Sequence, residues 1–173
     1  ASGFAGTCAP MRQLRSLSLI FAIALLSACS GPRTRPAPAP PPAPRGIASP
    51  NDILFRAIGL VGTPYHWGGN TPQSGFDCSG LVVYVFREIA GVSLPRTTQE
   101  MYALDLADVR RDRLQGGDLV FFNTSGRDIT HVGIYVGQDR FVHAPNEGGT
   151  VRLDHLGNVY WSKHYSGARR VRL

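Results

Sequence analysis

Cys78, His131 and His143 are the residues of this chain whose types could combine into a nucleophile, a base and a group that orients the base. A cysteine attacks as thiolate, so it needs a proton acceptor at hand, and a helix N-terminus beside it favours the anion. Cys78 stands where the pattern predicts a helix to begin. The open N–H groups of that first turn would also suit the oxyanion that forms when a carbonyl is attacked. Composition alone favours a buried packing cysteine, because free Cys is among the most buried residue types. The two histidines shift that balance.

His131 begins the run His131–Val136 and His143 falls at the end of Phe141–Ala144, two strand-like segments joined by a short hairpin. With a three-residue Gly137–Gln138–Asp139 loop, Val136 faces Arg140, His143 lies opposite Gly133, and the two imidazoles share one face as diagonal neighbours. A two-residue Gln138–Asp139 turn would instead put them on opposite faces. We take the three-residue loop, in which Gly133, lacking a side chain, leaves room between the rings. His131 is then a base and His143 its orienting partner, the logic of a cysteine hydrolase triad. Unrelated histidines on a half-exposed sheet are the plainer alternative.

The elements that must hold these side chains can be read from periodicity. Ser49-Pro50-Asn51-Asp52 is a helix start, followed at helical spacing by Ile53, Leu54, Ala57, Ile58 and Val61 before Gly62. Gly62 to Gly75 reads as loop. A second helix begins near Cys78, with Leu81, Val82, Val85, Phe86 and Ile89 on one face and Gly91 as its stop. A third, short helix is predicted over Thr97–Leu104. After Gly116-Gly117 the period changes to that of strands: Asp118–Phe122, His131–Val136, Arg140–Ala144, Thr150–Leu153 and Ala168–Arg172. Helices first and hairpin-length strands afterwards predict an α+β domain with an antiparallel sheet.

The 173 residues, with 43% hydrophobic content, allow one modest domain; 20 Gly and 13 Pro require a biased segment as well. That segment is Pro32–Pro50, which holds eight of the prolines and almost nothing that could bury surface. Upstream, Met11 opens a leader with Arg12 and Arg15, an apolar run Leu17–Leu26 too short to span a bilayer, and small residues up to Cys29. The formal charge of +6 partitions accordingly. Two arginines fall in the leader and three (Arg33, Arg35, Arg45) in the Pro-rich stretch, leaving 13 basic against 12 acidic residues on the domain. A domain at +1 lacks the clustered positive charge that nucleic-acid binding needs, and no nucleic-acid partner is expected. Of the three cysteines only Cys78 lies in the domain, so no disulfide is available to it.

Seven segments occur in the order found in the NlpC/P60 family of peptidoglycan hydrolases: Gly62–Tyr65, Trp67–Gly69, Asp77–Val82, Leu94–Arg96, Gly117–Phe122, His131–Gly137 and Phe141–Ala144. The resemblance covers residues 51–173, and the tail from Trp161 to Val171 is similar as well. It implies a papain-like α+β fold, N-terminal helices on a central antiparallel sheet, with Cys78 as nucleophile, His131 as base and His143 as its partner. It further implies Tyr65 beside the nucleophile, helping to bind the oxyanion, and Asp77 and Ser79 in contact with the substrate peptide. Tyr65 could equally be a packing aromatic, and Asp77 and Ser79 both suit a helix cap. His66, His155 and His164 match no catalytic position. The implied reaction is hydrolysis of peptidoglycan stem or cross-link peptides, at a D,D cross-link or a D-γ-glutamyl–diaminopimelate bond, without metal or organic cofactor. A monomer is expected.

Leu26-Ser27-Ala28-Cys29 resembles the lipobox of bacterial lipoproteins, which implies cleavage before Cys29, acylation of its thiol, and residues 1–10 as upstream sequence; a plain signal peptide cut near Ala28 is the alternative. The expected organisation is a signal peptide over 11–28, a lipidated tether over 29–49 and the catalytic domain over 50–173. Ser30 lacks the Asp that retains lipoproteins at the inner membrane, so a periplasmic enzyme anchored to the outer membrane is expected. Two other readings stand beside it: a zinc site from Cys78, His131 and His143, and a non-catalytic peptidoglycan-binding protein on the same fold.

Overall fold

Ser49 opens the first helix of the computed structural model, which describes residues 48–146 and 148–173. The leader, Cys29 and all but the last residues of the Pro-rich stretch lie outside the described residues. Helix α1 (Pro50–Ile58) starts with a capping box, the Asp52 carboxylate accepting from the Ser49 N–H at 2.8 Å, and buries Ile53 and Ala57. It ends before Val61, because Leu60 and Val61 bond back three residues, to Ala57 and Ile58, in tighter turns.

The loop predicted over 62–75 carries a small hairpin, β1 (Asn70–Thr71) with β2 (Gly75–Phe76). Helix α2 (Cys78–Ala90) follows, capped by Asp77 and stopped by Gly91 in the left-handed region at φ 67°. It buries Leu81, Val82, Val85 and Phe86. Helix α3 (Thr98–Ala103) is capped by Thr97. Among the described residues no helix is long and apolar enough to cross a membrane.

Six strands form one antiparallel sheet in the order β3 (Ala107–Asp108), β8 (Tyr165–Arg170), β4 (Leu119–Phe122), β5 (His131–Gly137), β6 (Arg140–His143), β7 (Arg152–His155). Strand β4 is apolar at every position because both faces of the sheet are covered there. Leu119 and Phe121 join the core under the helices, with Ile53, Leu81, Phe86 and Ile134. Val120 and Phe122 join a second, aromatic layer with Phe141, Leu156, Ala168 and Trp161. Trp161 comes from helix α4 (Val159–His164), started by the Asn158 side chain, which sequence periodicity did not predict. Strand β7 begins two residues later than expected, since Thr150 bridges instead to Pro64. Strand β8 begins three residues before Ala168 and ends at Arg170.

The β5–β6 hairpin corrects the expected loop. Gly137, not Val136, pairs with Arg140, so the turn has two residues, Gln138 and Asp139, at φ 54° and 56°. The two-residue turn alone would separate the histidines. A bulge between Tyr135 and Gly137 takes up Val136, however, and Tyr135 pairs with Phe141 and Ile134 with Val142. The register at the histidines is therefore the expected one, reached by a different turn.

Candidate active site

Cys78 is the first residue of α2, held there by an anchored loop. The Asp77 carboxylate accepts from the Gly80 N–H (2.7 Å), the Gly68 N–H (2.9 Å) and both terminal nitrogens of Arg96 (2.8 and 2.6 Å). The Ser79 hydroxyl donates to the same carboxylate at 3.1 Å and accepts from Arg96. Gly80 lets the loop come this close, since a Cβ there would stand 2.0 Å from the Gly69 carbonyl oxygen. That oxygen also accepts from the Asp77 N–H and from Arg96. With five donors on its two oxygens, Asp77 is filled by the protein's own groups and stands as cap and anchor. Burial would raise its carboxyl, but Arg96 and the Gly80 N–H hold it below the usual range.

The sulfur of Cys78 lies beside the backbone N–H of Val132, the residue after His131, and both Val132 and the Ser79 N–H favour the thiolate. They do not win. Burial and the Asp77 charge push the thiol up to about 11, contrary to the expectation that the helix start would lower it. Burial, and then His143, push His131 down to about 3. Each charge alone is disfavoured in this environment.

His131 Nε2 and His143 Nδ1 are 2.8 Å apart, and His143 Nε2 lies 2.9 Å from Asp154 Oδ2. Asp154 also accepts from the Trp161 indole N–H (2.8 Å) and from Arg152 (3.0 and 3.2 Å). The Trp161 ring stacks on His131 at 5.2 Å and meets His143 edge-on at 4.8 Å. The structure thus joins His131 to His143 and sets the Cys78 sulfur beside the N–H of Val132, the residue after His131. Both nitrogens of His143 are engaged, so the zinc alternative would require it to give up one of these bonds. Tyr65, with Trp67, Asp77, Ser79 and Arg96, lines a groove of about 600 Å³ that leads to Cys78. None of the five histidines, His131 and His143 included, is among that groove's lining residues. Asp154, Arg152 and Trp161 escaped sequence reading: the strand predicted over Thr150–Leu153 stops one residue short of Asp154. The signal was an acid beside the expected strand, but no local pattern sets its register to β6.

The NlpC/P60 family profile matches residues 62–170. The chain belongs to the NlpC/P60 family. As expected for an NlpC/P60 domain, the fold is α+β: it superposes on an NlpC/P60 family protein from Bacillus cereus with a TM-score of 0.67 at 28% identity, over 73% of this chain and 41% of that one. This NlpC/P60 chain is 49% identical over 113 residues to murein DD-endopeptidase MepH of Escherichia coli K12, covering 64% of the chain and 42% of MepH. It therefore spans less than half the length of that relative. Murein DD-endopeptidase MepS/murein LD-carboxypeptidase of the same organism is 35% identical over 177 residues, covering 91% of this chain and 92% of MepS.

Proposed function

We propose that this NlpC/P60 chain is a cysteine endopeptidase that hydrolyses peptide bonds of peptidoglycan in cell-wall remodelling. The observation that carries the reading is Cys78 at the start of α2, lining a groove with its sulfur beside the N–H of Val132, whose neighbour in strand β5, His131, is hydrogen-bonded to His143. Cys78 attacks the carbonyl as His131 takes its proton; backbone N–H groups and Tyr65 hold the oxyanion; His131 protonates the leaving amine, and water hydrolyses the thioester. No cofactor enters these steps. Ser79 keeps one acceptor site on its hydroxyl for the substrate peptide, whereas Asp77 acts through the loop it anchors.

Similarity to MepH and to nearly the whole of MepS favours the D,D cross-link as the bond cut. Lipidation at Cys29 would tether the domain to the periplasmic face of the outer membrane; labelling with a radioactive fatty acid, lost on Cys29→Ala, tests it. The decisive experiment is digestion of purified sacculi with mass spectrometry of the released muropeptides. Uncrosslinked monomers with intact stems support the D,D reading, and dipeptide-ended fragments would move the cut to the D-γ-glutamyl bond. Cys78→Ala should release neither.

A further inference from the structure

The hydrogen bonds that begin at His131 do not stop at His143. Asp154 Oδ2 receives the Nε2 side of His143 at 2.9 Å, and a carboxylate can only accept. It draws the single proton of neutral His143 to Nε2 and leaves a lone pair on Nδ1. That lone pair faces His131 Nε2 at 2.8 Å and draws the proton of His131 to Nε2 in turn. His131 is left with its own lone pair on Nδ1.

We propose that Asp154 is a positioning residue of the reaction, setting through His143 the tautomer that makes Nδ1 of His131 the proton acceptor for Cys78, and stabilising the imidazolium that results. This rests on Cys78 and His131 acting as nucleophile and base. In the step, the Cys78 S–H bond breaks and an Nδ1–H bond forms on His131, giving thiolate and imidazolium. The proton stays on His131 and the carboxylate stays ionised.

The surroundings suit that task. Strand β6 presents His143 to Asp154 and β7 presents Arg152, while α4 adds the indole of Trp161, which carries no charge. Burial would raise the Asp154 carboxyl, but hydrogen bonds from His143, Trp161 and Arg152 hold it well below the usual carboxylate range. Its charge raises the proton affinity of both histidines; Arg152, at the exposed side, opposes it in part. Trp161 donates to Oδ2 and stacks on His131, so one side chain fixes both ends of the relay.

Asp154→Asn keeps the size and an acceptor oxygen and removes the charge. Side-chain ¹⁵N NMR of the full chain at neutral pH should find the proton on Nε2 of both His131 and His143 in the parent. Alkylation of Cys78 by iodoacetamide, followed at that peptide by mass spectrometry, should slow about tenfold in Asp154→Asn, with its rise displaced to higher pH. A parent His131 protonated on Nδ1, or an alkylation profile in Asp154→Asn that superimposes on the parent's, would overturn the proposal. If Asp154→Asn does not fold, the parent's tautomers still decide. Neither readout uses peptidoglycan, so inert sacculi together with the expected tautomers would fault the substrate reading alone.

Discussion

Gly133 makes room for His143. A Cβ on Gly133 would stand 2.6 Å from Cδ2 of Phe141, 3.0 Å from the Val142 carbonyl oxygen and 3.3 Å from Cβ of His143. One of these is backbone and another belongs to the Phe141 ring, which packs against His143. Gly133→Ala is therefore expected to cost about 1–3 kcal/mol of stability by overpacking. It should also depress hydrolysis by more than the fraction unfolded explains, because His143 must shift. Urea midpoint and activity measured together check this, and an unchanged midpoint would contradict it.

Arg96 fixes the loop that carries the groove wall. In Arg96→Met, Asp77 keeps the Gly80 and Gly68 N–H groups and Ser79 but loses both guanidinium bonds. Arg96 is partly exposed, so the expected loss is about 1–3 kcal/mol rather than that of a fully buried pair. The Cys78 thiol should become harder to ionise as well, since Arg96 favours its thiolate. Thermal melting and the pH dependence of thiol alkylation read the two effects separately.

Acid should destabilise the domain before its carboxylates titrate. His131 is held at about 3 in the folded chain and returns to about 6.5 on unfolding. Between those values the unfolded chain binds the extra proton, so stability falls as pH falls, by about 1.4 kcal/mol per unit for that histidine. Asp77 and Asp154 are depressed, so their stabilisation is lost only below the ordinary carboxylate value of 3.8. Urea midpoints at a series of pH values should decline from about 6.5 downward, and less steeply in His131→Gln. Equal slopes in the two proteins would rule out a neutral buried His131.

Trp67 is 80% exposed at the rim of the groove, on the loop that Asp77 and Arg96 pin down. A large apolar ring so placed gains surface contact only when something lies in the groove. Trp67→Ala should raise KM several-fold with kcat and melting temperature little changed. A fall in kcat alone would place its effect elsewhere.

The helix that carries Cys78 was legible because local chemistry specifies it: Asp77 caps it, the apolar face recurs at 3.6, and Gly91 ends it. The shared face of His131 and His143 was legible too, although the turn was not, since a bulge at Val136 leaves no mark in alternating residues. Asp154 could not be read. Its partner strand β6 ends at His143, and the pairing between the two depends on tertiary contacts such as the Pro64–Thr150 bridge, which no local pattern expresses. Helix α4 was too short for its period to show, and the high pKa of Cys78 follows from packing that spacing does not express.

The tip of the β5–β6 hairpin is ordinarily where a protein tolerates a tag or a spliced segment. In this domain its residue count has a parity that the histidines depend on: two residues in the turn and one in the bulge keep both rings on the same side. The tip is also fastened, because the Asp139 carbonyl and carboxylate receive the N–H groups of Leu156 and Gly157. A single residue added or deleted there leaves His143 on its face only where the turn or the bulge takes up the change, as the bulge already does at Val136.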